Sequence, residues 1–177
     1  MKPLILSFAL TMAVAFGGPF VSDGVAADQT PEQFVETTSN DVLGILRDSA
    51  LDHEGKIAKL QVLLDQNCDF TTISKLVLAV HYRSFSDAQK TEFVELLHRY
   101  LTTTYGKQID NYANETVSVV GGHPEARGDY TVQTRIKRQA GADLVVDYRL
   151  RKVGENWRLI DVIGEGISLI SNLRAQF

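Results

Sequence analysis

Apolar residues at Phe34, Val35, Val42, Ile45 and Leu46 recur close to the 3.6-residue helical period. They follow Thr30-Pro31-Glu32-Gln33, which has a capping hydroxyl, proline at the first helical position and glutamine three residues after the cap. The spacing predicts a helix starting at residue 30. A second is predicted over Glu54–Asp65, with Ile57, Leu60, Leu63 and Leu64 on one side, and a third over Phe70–Val80. Another capping box, Ser86-Asp87-Ala88-Gln89, opens the longest predicted helix, which buries Phe93, Leu97 and Leu101 and ends near Tyr112.

From Glu115 the period shortens to two. Glu115–Gly121, Asp129–Arg138, Asp143–Lys152 and Asn156–Ile163 are short, alternating and rich in β-branched residues. Gly121-Gly122-His123-Pro124, Ala140-Gly141 and Gly154 separate them as predicted turns. Four strands joined by short turns form an antiparallel meander. One face carries Tyr130, Val132, Thr134 and Ile136, then Leu144, Val146, Tyr148 and Leu150, then Trp157, Leu159 and Ile163. Gln133, Arg135, Lys137, Asp147, Arg149, Arg151 and Arg158 make the opposite face wetter. After Gly164-Glu165-Gly166 an apolar helix is predicted over 167–177. Helices first and a sheet afterwards is an α+β order.

The amino terminus stands apart. Lys2 precedes an apolar run from Leu4 to Phe16, Gly17-Gly18-Pro19 breaks it, and Val25-Ala26-Ala27 offers the small residues a signal peptidase requires. Residues 1–27 are therefore expected to be a cleaved signal peptide, and 28–177 one domain: helical over 30–112, sheet over 115–163, a terminal helix over 167–177. The leader holds one base, Lys2, and one acid, Asp23, so the remainder keeps the chain's net charge of −4. That charge gives no basic face for nucleic acid. With the single cysteine, Cys68, neither an intramolecular disulfide nor a cysteine zinc cage can form.

Catalytic candidates are sparse. The four histidines, His53, His81, His98 and His123, lack close metal-ligand spacing. Asn67 and Asp69 flank Cys68 and supply neither base nor positive charge to a nucleophile. Asp147 falls among arginines, where cross-strand ion pairs account for it. Asp161 shares the strand parity of Trp157; it either caps the turn before the last helix or acts with a tyrosine as an acid/base pair. The stronger signal is the number of apolar faces, which fits a filled core and a hollow one equally well.

The carboxy-terminal third carries a resemblance. Asp147-Tyr148-Arg149-Leu150, Trp157-Arg158-Leu159-Ile160-Asp161-Val162, Glu165-Gly166-Ile167-Ser168-Leu169, then Asn172, Arg174 and Phe177, resemble the signature of the MlaC/toluene-tolerance family. Upstream, Asp69-Phe70, Phe93, Leu97, Thr104-Tyr105 and Tyr112 are similar to its pattern. That family comprises periplasmic lipid-binding proteins of Gram-negative bacteria. The resemblance implies an NTF2-like curved four-stranded antiparallel sheet wrapped by N-terminal and C-terminal helices around an apolar cavity. It implies a periplasmic, non-enzymatic carrier with phospholipid as cargo and no cofactor. Its partners would be an inner-membrane MCE-domain/ABC transporter complex and an outer-membrane lipoprotein–porin complex, and a monomer is expected. Strand parity and family likeness together select Tyr105, Val132, Ile136, Val146, Tyr148, Trp157, Ile163 and Ile167 as lipid-lining residues. Two alternatives stand beside this: a hopanoid-associated lipid-binding protein, and an NTF2-like isomerase or hydrolase using Asp161 and a tyrosine. Ile160 stands where members often carry an aromatic, and members usually continue past the position of Phe177. Either this is a short member of the family or its pocket is less completely closed.

Overall fold

The computed structural model describes residues 29–106, 115–139 and 141–176. Helix α1 (Pro31–Arg47) starts at the predicted capping box, in which Gln33 N–H donates to Thr30 Oγ1 at 3.2 Å and Thr30 N–H donates to Gln33 Oε1 at 3.0 Å. Asp52 and Asp69 cap α2 (His53–Asn67) and α3 (Phe70–Leu78), each accepting from the backbone N–H three residues on. Helix α3 stops short of Val80 because Ala79 leaves the helical region, at φ 49° and ψ −115°, and a 3-10 stretch over Ala79–Ser84 follows. Ser86 and Gln89 make the second reciprocal cap, at the head of α4 (Asp87–Gly106). The helix end predicted near Tyr112 lies outside the described residues, as do the signal peptide expected over residues 1–27 and Phe177.

The sheet runs β1 (Thr116–Pro124), β2 (Asp129–Lys137), β3 (Leu144–Val153), β4 (Asn156–Gly164) and β5 (Ile167–Ser168), in that spatial order and antiparallel throughout. Where four strands are expected, a fifth short one is present. Gly164-Glu165-Gly166 folds the chain back on β4 as a hairpin, with Glu165 and Gly166 at positive φ, before α5 (Leu169–Arg174) begins. Glu165 closes the turn against β3: its N–H donates to the Val145 carbonyl at 3.0 Å, and its Oε1 accepts from Val145 N–H at 2.9 Å.

A second difference lies in β1. The run Gly121-Gly122-His123-Pro124 reads as a turn but is strand, paired with Gln133 to Tyr130 across β2. One extra residue, Val120, forms a bulge between Val119 and Gly121. Gly122 belongs there because of close approach: a Cβ would lie 2.6 Å from the Tyr130 ring and 2.9 Å from the Thr131 carbonyl oxygen. The reversal instead occurs at Ala126–Gly128, where Arg127 and Gly128 take positive φ.

The apolar residues gather in two clusters. Phe34 and Val35 of α1 pack on Val132 and Leu150 of the sheet, with Tyr130, Tyr148, Trp157 and Leu159 around them. Ile73 and Val77 of α3, Leu97 of α4, and Ile170 and Leu173 of α5 form the other. Burying several such side chains on each side stabilises both halves by about 1.5–3 kcal/mol per residue. Helix α2, packed on α1, α4 and β4, contributes no fully buried residue, and this is where the interior opens.

Candidate functional site

Two apolar cavities occupy the space between the clusters. The first, about 230 Å³, lies between α1, α2 and the sheet, walled by Phe34, Val35, Val42, Ile57, Leu60, Leu63, Tyr148 and Leu150 among others. The second, about 480 Å³, lies between α3, the end of β4 and the β5–α5 segment, walled by Phe70, Ile73, Val162, Ile167, Leu169 and Ile170. Leu64, Cys68, Leu101 and Leu159 line both, so the cavities meet at a common apolar wall. This wall follows from topology. Cys68 and Asp69 lie along the outer edge of β4, with Asp69 N–H donating to the Leu159 carbonyl at 3.0 Å, which brings the end of α2 against the sheet.

Several of the polar groups on these walls are partnered locally. Thr102 donates to the His98 carbonyl, and Asn67 Nδ2 to the Leu63 carbonyl. In the second cavity, Asp161 accepts from Ser168 Oγ at 2.6 Å and from Ile170 N–H at 3.1 Å. Asp161 thus anchors the first turn of α5, and Arg149 Nη1 stands 3.6 Å from its Oδ2. Burial pushes the Cys68 thiol up from 9.0 to about 12; the Asp65 carboxylate adds to the shift and the Arg158 guanidinium opposes it. Burial likewise raises the Tyr148 phenol. Such a site suits hydrocarbon: its walls are mostly apolar and several of its few hydrogen-bonding groups are engaged.

The residues selected from the sequence fall into separate places. Tyr148 walls the first cavity and Ile167, largely exposed, the rim of the second. Trp157 lies in a polar hollow described below. Val132 is fully buried within the α1–sheet cluster rather than beside either cavity. Ile136 and Val146 share the face of Tyr148 but sit farther along the sheet and line neither cavity. Tyr105 belongs to α4, and its side chain lies outside the described residues.

Ile163 is displaced by a register shift. Leu150 pairs with Leu159 and Arg149 with Asp161, so Ile160 is an extra residue in β4 and parity reverses beyond it. Ile163 pairs with Asp147 on the wetter face, and Val162 takes the place opposite Tyr148. The same bulge moves Asp161 off the parity of Trp157 and sets it opposite Arg149. Strand parity cannot identify the helical half of the wall: Leu60, Leu64 and Leu101 show in the sequence only as helix stripes, which a solid core would also require.

A third hollow, about 410 Å³, adjoins the first cavity. Phe34, Thr38 and Asn67 line both. Its remaining walls are polar: Gln29, Thr37, Asp41, Gln66, Asn156, Arg158 and the edge of Trp157, whose Nε1 donates to the Gln29 carbonyl at 2.9 Å. Among the described residues no group of three or more His, Cys, Asp and Glu side chains comes together as a metal site, and no helix is long and apolar enough to cross a membrane.

Comparison with known proteins places these cavities in context. A family model described as MlaC protein matches residues 36–177. Toluene tolerance protein ttg2D of Pseudomonas putida is 28% identical over 156 residues, covering 85% of this chain and 73% of that protein. In fold, the chain is similar to the phospholipid-binding protein from Ralstonia solanacearum, solved in complex with a phospholipid. The TM-score is 0.72 at 22% identity, over 82% of this chain and 84% of that one.

Proposed function

The chain belongs to the MlaC family, and from that membership we propose that it is a periplasmic phospholipid carrier. The observation that carries this reading is the pair of apolar cavities joined at Leu64, Cys68, Leu101 and Leu159. A fold similar to its own holds a phospholipid in the Ralstonia solanacearum protein. On this reading residues 1–27 direct export and are cleaved, and residues 28–177 act as one lipid-binding domain.

The physical need for such a carrier is large. A two-chain phospholipid has about 30 methylenes, and at ~0.8 kcal/mol each its escape into water costs on the order of 20 kcal/mol. A dry wall replaces the bilayer's contacts and brings extraction near balance. Because loading is then nearly balanced, direction of transport comes from unequal affinities at the two membranes or from a partner ATPase. The partners proposed are an inner-membrane MCE-domain/ABC transporter complex and an outer-membrane lipoprotein–porin complex. Lipid exchange with them would maintain outer-membrane asymmetry. No catalytic step is assigned, because both Asp161 oxygens serve the α5 anchor.

Organic extraction of the purified protein followed by mass spectrometry tests the carrier reading. Phospholipid at close to one molecule per chain is the expected result. Protein that stays empty after incubation with phospholipid vesicles overturns it.

A further inference from the structure

A polar hollow adjoins the first apolar cavity. An amphiphile whose chains fill the apolar cavity must leave its head where polar walls begin, and Phe34, Thr38 and Asn67 mark that boundary by lining both spaces. Two residues of opposite charge line the hollow: Arg158, half-buried at the start of β4, and Asp41, exposed on α1. Among the described residues neither makes a hydrogen bond or an ion pair within the protein, whereas Arg149 and Arg151 are matched to Asp161 and Asp129. The second cavity offers no comparable free charge, since Asp161 and Ser168 are bonded to each other.

We infer that this hollow is a head-group subsite for zwitterionic phospholipids bearing an ammonium, with Arg158 meeting the phosphate and Asp41 the amine. A guanidinium is the better partner for phosphate because its donors match the oxygens in pairs. A carboxylate lining the same hollow favours an ammonium and opposes a purely anionic head, so selectivity rests on Asp41 and general head-group affinity on Arg158. The assignment depends on the chain carrying phospholipid as proposed above.

The test loads lipid-stripped protein from vesicles of equal parts phosphatidylethanolamine and phosphatidylglycerol, then quantifies both extracted lipids by mass spectrometry. Wild-type protein is expected to hold phosphatidylethanolamine about two- to fivefold over phosphatidylglycerol, the range of a solvent-accessible charge pair. D41N should bring the ratio to that of the vesicles. R158Q should lower uptake of both lipids, and D143N, in the β2–β3 turn away from the hollow, should keep the wild-type ratio. Wild-type protein filled in vesicle proportion, or D41N with an unchanged preference, overturns the subsite while the carrier reading stands. Wild-type protein that takes up neither lipid overturns both.

Discussion

Asp161 is held by Ser168: the serine Oγ donates to Asp161 Oδ2 at 2.6 Å, seven residues on and across the β4–β5 hairpin. The same serine caps α5 by accepting from Ser171 N–H, and Asp161 Oδ1 accepts from Ile170 N–H. One almost fully buried carboxylate therefore fixes the segment that walls the larger cavity. Asp161→Ala strands the Ile170 N–H and leaves Arg149 without its counter-charge. Hydrogen bonds to buried charged groups contribute about 1.5–3 kcal/mol each, so a loss of about 3 kcal/mol is expected in urea denaturation. Asp161→Asn, which keeps an acceptor oxygen, should lose less.

The shared wall is the place to block filling. Leu64 lines both cavities without being fully buried, so Leu64→Trp has space to enter and should cut lipid occupancy several-fold while the far-ultraviolet circular dichroism stays native. Val132 is the contrasting case. It is fully buried against Phe34, Val35 and Leu150. Val132→Trp should therefore act by overpacking, lowering stability by about 1–3 kcal/mol or more, before it acts on occupancy. Extraction and denaturation on both variants separate the two effects.

Cys68 reports on whether the junction is filled. Burial raises its thiol from 9.0 to about 12, so near neutral pH the reactive thiolate is scarcer than in a free cysteine. Labelling by iodoacetamide should be slow at neutral pH and accelerate as pH rises toward 12. Lipid-loaded protein should label more slowly than stripped protein, because chains lying between Leu64 and Leu159 cover the sulfur. Equal rates in both forms would place the chains elsewhere.

Tyr130 ties the sheet to the start of α1: its hydroxyl donates to Glu32 Oε1 at 2.6 Å. The bond lowers the Glu32 carboxyl below its ordinary 4.5 and raises the Tyr130 phenol above 10.0. A depressed acid contributes stability that is present above its unfolded value and lost as pH falls through the folded one. A raised phenol contributes stability that is present below its unfolded value and lost as pH rises through the folded one. The stability gap between wild type and Tyr130→Phe should therefore be constant between 4.5 and 10.0 and close on either side, as thermal melts across pH will register.

Some of this was open to sequence reasoning for a clear physical reason. Helix starts are local: Thr30 with Gln33 and Ser86 with Gln89 satisfy backbone donors three residues away, so the capping boxes stand where the sequence alone puts them. Alternation is local too, and Tyr130, Val132, Tyr148, Leu150, Trp157 and Leu159 share one face as read. The resemblance carried by the Trp157–Asp161 and Glu165–Leu169 runs likewise identified the family.

Other features are properties of distance between elements. The bulge at Ile160 exists only in the pairing of β4 with β3, yet it sends Ile163 to the wetter face and Asp161 to Arg149. The close approach of the Tyr130 ring and Thr131 to Gly122 turned an apparent Gly-Gly turn into strand. The sequence by itself determined the helices, the alternating face and the family. Only the tertiary structure decided that α2 stands off far enough to leave cavities, because apolar periodicity is the same whether a stripe meets another side chain or an empty space.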